Sequence, residues 1–220
     1  NPQTAKTPEL LSAFGRCVQT LAKRFIVAED VGITEEDLQE IARSTSFVVK
    51  RKAGVEYSAS YYTALGIVKT IQHIIGKLER KTVVIQGFGK VAKYIVSWLV
   101  ENNIKIVGLS DTNTYATHYA KSLGLPIIPP DEIYNVECDI FMPCALGGVL
   151  NKDTIPKLRC TFVAGCANNQ LSKESDAGLL GEHNITYLPD FIINAGGLIE
   201  AGHALSIYSH EEINFVFIRL

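Results

Sequence analysis

The stretch TVVIQGFGKVA, Thr82 to Ala92, constrains this chain more than any other. A β-branched apolar run enters a turn with glycine at 87 and 89 and alanine at 92. The helix-periodic segment KVAKYIVSWLVENN follows at once. Each small residue answers a physical need. Gly87 permits a tight turn, Gly89 lets a pyrophosphate reach the backbone, and Ala92 lets the helix pack close to the strand. The unpaired N–H groups and positive dipole end of that helix then face the phosphates. Phe88, Lys90 and Val91 complete the loop as candidate cofactor contacts. A second strand, IKIVGLS, ends in Asp111, 24 residues beyond Gly87. An acid about 20 residues on is what a ribose 2′-hydroxyl requires. Thr112 and Asn113 follow, with no arginine for a 2′-phosphate, so the expected cofactor is NAD rather than NADP. The competing reading is a glycine-rich turn of an ordinary α/β protein, with Asp111 capping a loop.

The rest of the chain alternates in the same rhythm. Thr114 to Leu123 reads as a helix, and CDIFMPC, CTFVAG and TYLPDFII as short strands. Helical candidates lie near Asp153 to Leu158 and Lys173 to His183. Alternation with continuous apolar strands predicts a parallel sheet covered on both faces. Upstream, TPELLSAFGRCVQTLAKR is an expected helix. Thr7 is its cap, Pro8 lies in its first turn, and Leu10, Leu11, Phe14, Val18 and Leu21 form one stripe. Phe25 to Ala28 reads as a short strand, and Thr34 with Asp37 as the capping pattern of a second helix. The polar run Lys50 to Ser60 reads as a linker, and Tyr61 to Leu78 as a helix. The expectation is an α/β chain: a Rossmann-type doubly wound parallel sheet over 58–202, preceded over 1–57 by the remnant of an α/β substrate domain. A return segment fills 203–220, truncated or divergent.

Charge narrows the classes of partner. With 47% hydrophobic residues, 20% charged residues and a net charge of −2, the chain can bury a core and gives no reason to expect nucleic acid or an anionic membrane. No apolar run reaches membrane-spanning length, and no basic-then-apolar leader opens the chain. Five cysteines without a C-x-x-C pair read as reduced, mostly packed thiols in a cytoplasmic protein. The five histidines show no metal-ligand spacing, so no metal is expected.

Two carboxylates, Glu29 and Asp30, end the short apolar run in AEDVGIT. They fit a solvated turn, or a proton carrier at the mouth of a cleft. The motifs AEDVGIT, GFGKVAKY, EIYNVECDIFMPCALGG, GCANNQL and LPDFIINAGG, in this order, resemble the glutamate/leucine/phenylalanine/valine dehydrogenase family, and its leucine dehydrogenases in particular. The resemblance runs from the first residues to about Gly202. It implies two domains with the active site between them. It also implies NAD-dependent oxidative deamination of a branched-chain or other apolar L-amino acid to its 2-oxo acid, with release of ammonia. On matching positions it implies Asp30 as the proton carrier, and Ala28, Asn169, Asn194, Leu198 and Ala201 around the substrate. Thr63, Cys144, Ala145, Leu146 and Asn168 would lie along the cofactor. A homo-oligomer is expected. The bland alternatives are a turn for the two asparagines, a cap for Asn194 and a packed thiol for Cys144.

The departures are equally specific. No G-G-G-K-like segment carries the family's activating lysine, and Lys6 and Lys23 sit in no matching motif. Asn1 is not an initiator, the family's further C-terminal helices have no counterpart, and a partial chain is expected. Tyr61-Tyr62 replaces the family's serine-proline pattern, and Glu200 and His203 depart from the leucine dehydrogenase pattern, leaving the substrate open. The alternative function is a non-catalytic NAD-binding or assembly module.

Overall fold

The computed structural model describes residues 5–30, 32–49, 58–209 and 211–212. The chain opens with helix α1, Pro8–Thr20, capped by the Thr7 hydroxyl, which accepts from Leu10 N–H. Helix α2, Glu35–Ala42, starts at the expected capping box. Thr34 accepts from Asp37 N–H, and the Asp37 carboxylate accepts from Thr34 N–H. These two helices pack on a small cluster of Val18, Val27, Ile41 and Val48. The strand expected at Phe25 to Ala28 is a single parallel bridge, Val27 to Val48. It has that one neighbour among the described residues, and Phe25 stays exposed.

Helix α3, Ala59–Ile75, begins earlier than its expected start at Tyr61, because the Ser58 side chain caps it by accepting from Tyr61 N–H. The rest of the expected linker, 50–57, lies outside the described residues. Strand β1, Thr82–Gln86, leads into helix α4, Lys90–Glu101, and β2, Lys105–Ser110. Then come α5, Thr114–Ser122, and β3, Ile140–Pro143, with one turn of 3-10 helix before it at Ile133–Asn135. A second 3-10 turn, Ile155–Lys157, precedes β4, Phe162–Val163. Helix α6, Asp176–Glu182, β5, Thr186–Tyr187, α7, Asp190–Ile193, and α8, Gly196–Ala204, complete the order.

All five strands are parallel, in the order β2-β1-β3-β4-β5. Outside β2, Ile127 makes one further parallel bridge to Leu109. Counting it as a strand gives the 3-2-1-4-5-6 arrangement of dinucleotide-binding sheets. It is cut to one bridge because Pro126 and Pro129 flank it and supply no N–H. TYLPDFII is not one strand either. Pro189, with φ −59°, ends β5, and Asp190–Ile193 turns as helix.

The sheet is covered on both faces. Val83, Ile85, Ile140 and Met142 face a core shared with α3 and α4, including Ile67, Ile71, Ile95 and Leu99. Val84, Phe141 and Val163 point the other way, onto Ile133, Leu150, Ile155 and Leu180. Burial on both sides is why these strands read as continuous apolar runs. After β2 the chain crosses back over β1 to form β3, so the C-terminal ends of β1 and β3 diverge at a topological switch point. In such sheets that crevice is where ligands bind.

Candidate active site

At the switch point, Gly87 has φ +100°, a conformation other residues adopt only under strain. A Cβ there would lie 2.5 Å from the backbone N of Ala145. Gly87 N–H donates to Ser110 O (2.6 Å) and Cys144 N–H to Gln86 O (2.6 Å), knitting the ends of β2, β1 and β3 together. The Asp111 carboxylate accepts from Phe88 N–H (2.6 Å) and Asn113 N–H (2.7 Å). It clamps the glycine turn, and each oxygen keeps lone-pair capacity for a ligand hydroxyl. Phe88 turns its ring into the core, stacked 6.0 Å from Tyr119, so only its backbone belongs to the loop. Gly89 begins α4 with no side-chain cap, and a Cβ on it would meet nothing within 4 Å. The first amides of α4 therefore have no side-chain cap, and the space beside Gly89 is open. Val91 packs partly against the core and Ala92 is buried, which brings the helix close to the sheet.

Three further close approaches extend this rim. A Cβ on Gly147 would lie 2.6 Å from Asn168 O, so the Cys144 to Gly147 loop rests on the Asn168-Asn169 turn. Asn169 takes φ +51°, accepts from Gly148 N–H at its carbonyl (2.8 Å), and donates its own N–H to Asp190 Oδ2 (2.8 Å). Asn194 Nδ2 donates to Asn168 Oδ1 at 2.6 Å. Just beyond, a Cβ on Gly196 would lie 2.0 Å from Tyr62 O, and one on Gly197 2.6 Å from Thr63 Oγ1. Gly87, Cys144 to Gly147, Asn168, Asn194 and Thr63 thus form one continuous line along the strand ends. Ala145, Leu146, Asn168 and Asn169 face outward on it, and Cys144 is buried. On α8, Leu198 is 77% exposed and Ala201 half-buried, whereas Glu200 turns inward. Two positions on a helix are about 200° apart, so Leu198 and Glu200 lie on opposite faces.

Ala28 and Asp30 come from the other part of the chain. Both are exposed, and the Asp30 carbonyl accepts from Ile33 N–H (3.0 Å). Between them Glu29 forms an ion pair with Lys90, the first residue of α4. A cavity of about 280 Å³ lies beside this pair, walled by Glu35, Ser58, Lys93 and Tyr94 among others.

Sequence reasoning missed three residues here. Asp190 holds the Asn169 turn with one oxygen and accepts from Tyr187 OH (2.6 Å) with the other. Burial and then that carboxylate push the Tyr187 hydroxyl well above its usual range. Gln170 is fully buried and donates to Gly165 O (2.8 Å), at the start of the same loop. Glu29 was set aside in favour of its neighbour. A proline before Asp190 is a readable sign of a helix start, but nothing local marks a glutamine for burial.

The thiols are mostly packed, as expected, and Cys17 is the exposed one. Burial pushes the Cys138 and Cys160 thiols up to about 12, and contact with Cys144, then burial, raises Cys166, so these three stay protonated and unreactive at neutral pH. No cluster of metal-ligating side chains is found among the described residues, and no helix among them is long and apolar enough to cross a membrane.

Comparison with known proteins follows the same lines. A sequence model of the Glutamate/Leucine/Phenylalanine/Valine dehydrogenase family matches residues 54–120 and 114–206. A leucine dehydrogenase of Thermoactinomyces intermedius is 38% identical over 219 residues, 96% of this chain and 60% of that protein. An L-tryptophan dehydrogenase of Nostoc punctiforme is 38% identical over 222 residues, 96% of this chain and 62% of that protein. The crystal structure of L-tryptophan dehydrogenase from Nostoc punctiforme superposes with a TM-score of 0.71 at 36% identity, covering 95% of this chain and 62% of that one. Hetero-hexameric glutamate dehydrogenase from Thermus thermophilus shares the fold, with a TM-score of 0.75 at 20% identity, over 99% of this chain and 62% of that one. The chain spans about three fifths of the length of the curated relatives it matches.

Proposed function

Because the chain belongs to the glutamate/leucine/phenylalanine/valine dehydrogenase family, we propose that it is part of an NAD-dependent enzyme that deaminates an apolar, leucine-like L-amino acid to its 2-oxo acid. The observation that carries this reading is the continuous rim from Gly87 to Thr63, in which the glycine turn rests on the Cys144–Gly147 loop, that loop on the Asn168-Asn169 turn, and Asn194 bonds the Asn168 side chain. NAD supplies the hydride chemistry, so the protein's task is to hold two reactants face to face and manage a proton.

In this reading Gly87, Phe88 and Gly89 present backbone to the pyrophosphate, with Lys90 and Val91 continuing the loop. Asp111 receives a ribose hydroxyl while it clamps the turn. Cys144, Ala145 and Leu146 line the cofactor's path towards Thr63 and Asn168. Asn169 and Asn194 orient the amino acid with neutral amides, which fix geometry without adding charge. Ala28, Leu198 and Ala201 shape its side-chain pocket. Asp30 exchanges a proton with the amine nitrogen. Residues 1–57 act as the end of a substrate domain, 58–202 as the NAD domain and 203–220 as a return segment. The whole protein works as a cytoplasmic homo-oligomer.

The test is NADH formation by the full-length protein with leucine, valine, isoleucine, phenylalanine or tryptophan. Turnover is expected with an apolar amino acid, and an Asp30→Asn variant should lose at least about 100-fold in kcat, the scale of general acid–base catalysis. Saturable NAD binding without turnover on any of them would favour the binding-module alternative.

A further inference from the structure

Four ion pairs are formed among the described residues, and three lie within either 5–49 or 58–209. Glu29 to Lys90 is the one that crosses between them. Its two ends are not equivalent. Lys90 opens α4, directly after the uncapped Gly89, where the helix amides and the lysine charge both favour a phosphate. Glu29 precedes the proposed proton carrier and brings a negative charge to the same spot. Its carboxylate is the better covered partner, 28% exposed against 68% for the lysine. The lysine sits on an open helix start and reaches outward to the acid.

We propose that Glu29 sets the affinity of the cofactor site by competing with the dinucleotide pyrophosphate for Lys90. The proposal rests on the dehydrogenase reading. When the pyrophosphate settles at the start of α4, Lys90 faces two anions, and whatever it gives to one it withdraws from the other. The ion pair is therefore strongest without cofactor and loosens as cofactor enters. Uptake of the dinucleotide loosens the tie between Glu29 and α4. Glu29 acts through Lys90 and is a positioning residue, distinct in role from Asp30.

The chain carries its own reporter, since its single tryptophan, Trp98, lies on α4 and packs against the core around that helix. NAD and NADH dissociation constants are read from Trp98 fluorescence, without turnover, in the full chain and its Glu29→Gln, Lys90→Gln and double variants. Glu29→Gln is expected to tighten NADH about two- to fivefold, the range of a partly exposed ion pair. Lys90→Gln is expected to weaken it by a similar factor, and the double variant to match Lys90→Gln alone. The gain from Glu29→Gln should shrink as salt screens both interactions. An unchanged or weaker affinity in Glu29→Gln overturns the proposal. So does a Glu29→Gln effect that persists in the Lys90→Gln background, because it would not run through the lysine. These outcomes leave the dehydrogenase reading standing. A wild-type chain that takes up neither NAD nor NADH removes that reading, and this proposal with it.

Discussion

Gly87 sits where three strand ends meet, and nothing larger fits. A methyl group would press on the backbone of Ala145 and hold φ at +100° against its preference. Gly87→Ala is expected to destabilise the fold by about 1–3 kcal/mol and to abolish NAD binding. Gly178, exposed on α6 with open space at its Cβ position, is the matched control. There alanine should stabilise by about 0.5–1 kcal/mol, since it restricts the unfolded chain. Chemical denaturation and cofactor titration of the two variants read out both effects. The glycine turn was legible in the sequence because it reports a need of its own backbone. Asp190 was not, because its work is done on Asn169, a residue 21 positions earlier. Sequence shows what a residue demands locally more readily than what it supplies to a distant loop.

Among the elements, β1 and β3 are joined at their starting ends by one carboxylate. Asp139 accepts from Lys81 Nζ (2.7 Å), Thr82 N–H (2.8 Å) and Thr82 Oγ1 (3.0 Å). Partial burial would push this carboxyl up, but the Lys81 and Thr82 hydrogen bonds together outweigh it and hold the group below the usual carboxylate range. A depressed folded value means the stabilisation is present above the unfolded pKa of about 3.9 and is lost as pH falls through the lower folded value. Asp139→Asn should lower stability at neutral pH by about 1–3 kcal/mol, the worth of hydrogen bonds to a charged group. Its denaturation midpoint should also vary less with pH below 4 than that of the wild type. Urea titrations across that range decide it. The helices α1 to α6 were largely legible through their caps and apolar spacing. The outer strands were legible only in part: CTFVAG and TYLPDFII were read as strands, longer than the two-residue β4 and β5 they hold, and Ile127 was not read at all. Ile127, Phe162–Val163 and Thr186–Tyr187 are too short to show a period, and flanking prolines or a polar turn disguise them.

For the molecule as a whole, the sheet has a buried cluster on each face, whereas among the described residues of the first part the apolar cluster buries four side chains. The α1 stripe read from the sequence splits accordingly. Val18 is buried, but Leu10 (53%), Phe14 (43%) and Leu21 (44%) remain exposed. An apolar face of this kind favours association. These 220 residues made alone should sediment with a concentration-dependent mass, and Leu10→Lys with Phe14→Glu should return it towards the monomer value. A wild-type chain that stays monomeric at high concentration would refute this. The parallel sheet was visible from strand–helix alternation; its switch point came only with the strand order. How the first part meets the second was not visible, because the Glu29–Lys90 ion pair joins residues 61 positions apart and neither carries a local sign of the other.

The rim of the proposed site is held by backbone resting on backbone at Gly87, Gly147 and Gly196, and by Gly197 against the Thr63 hydroxyl. Such contacts tolerate almost no substitution, so that geometry is frozen. Leu198, one residue past the last of them, projects from α8 with most of its surface bare. On the proposed reading, a lineage descending from this chain can exchange the side chain at 198 generation after generation, trying new substrates, while the rim that would grip the nucleotide is inherited intact.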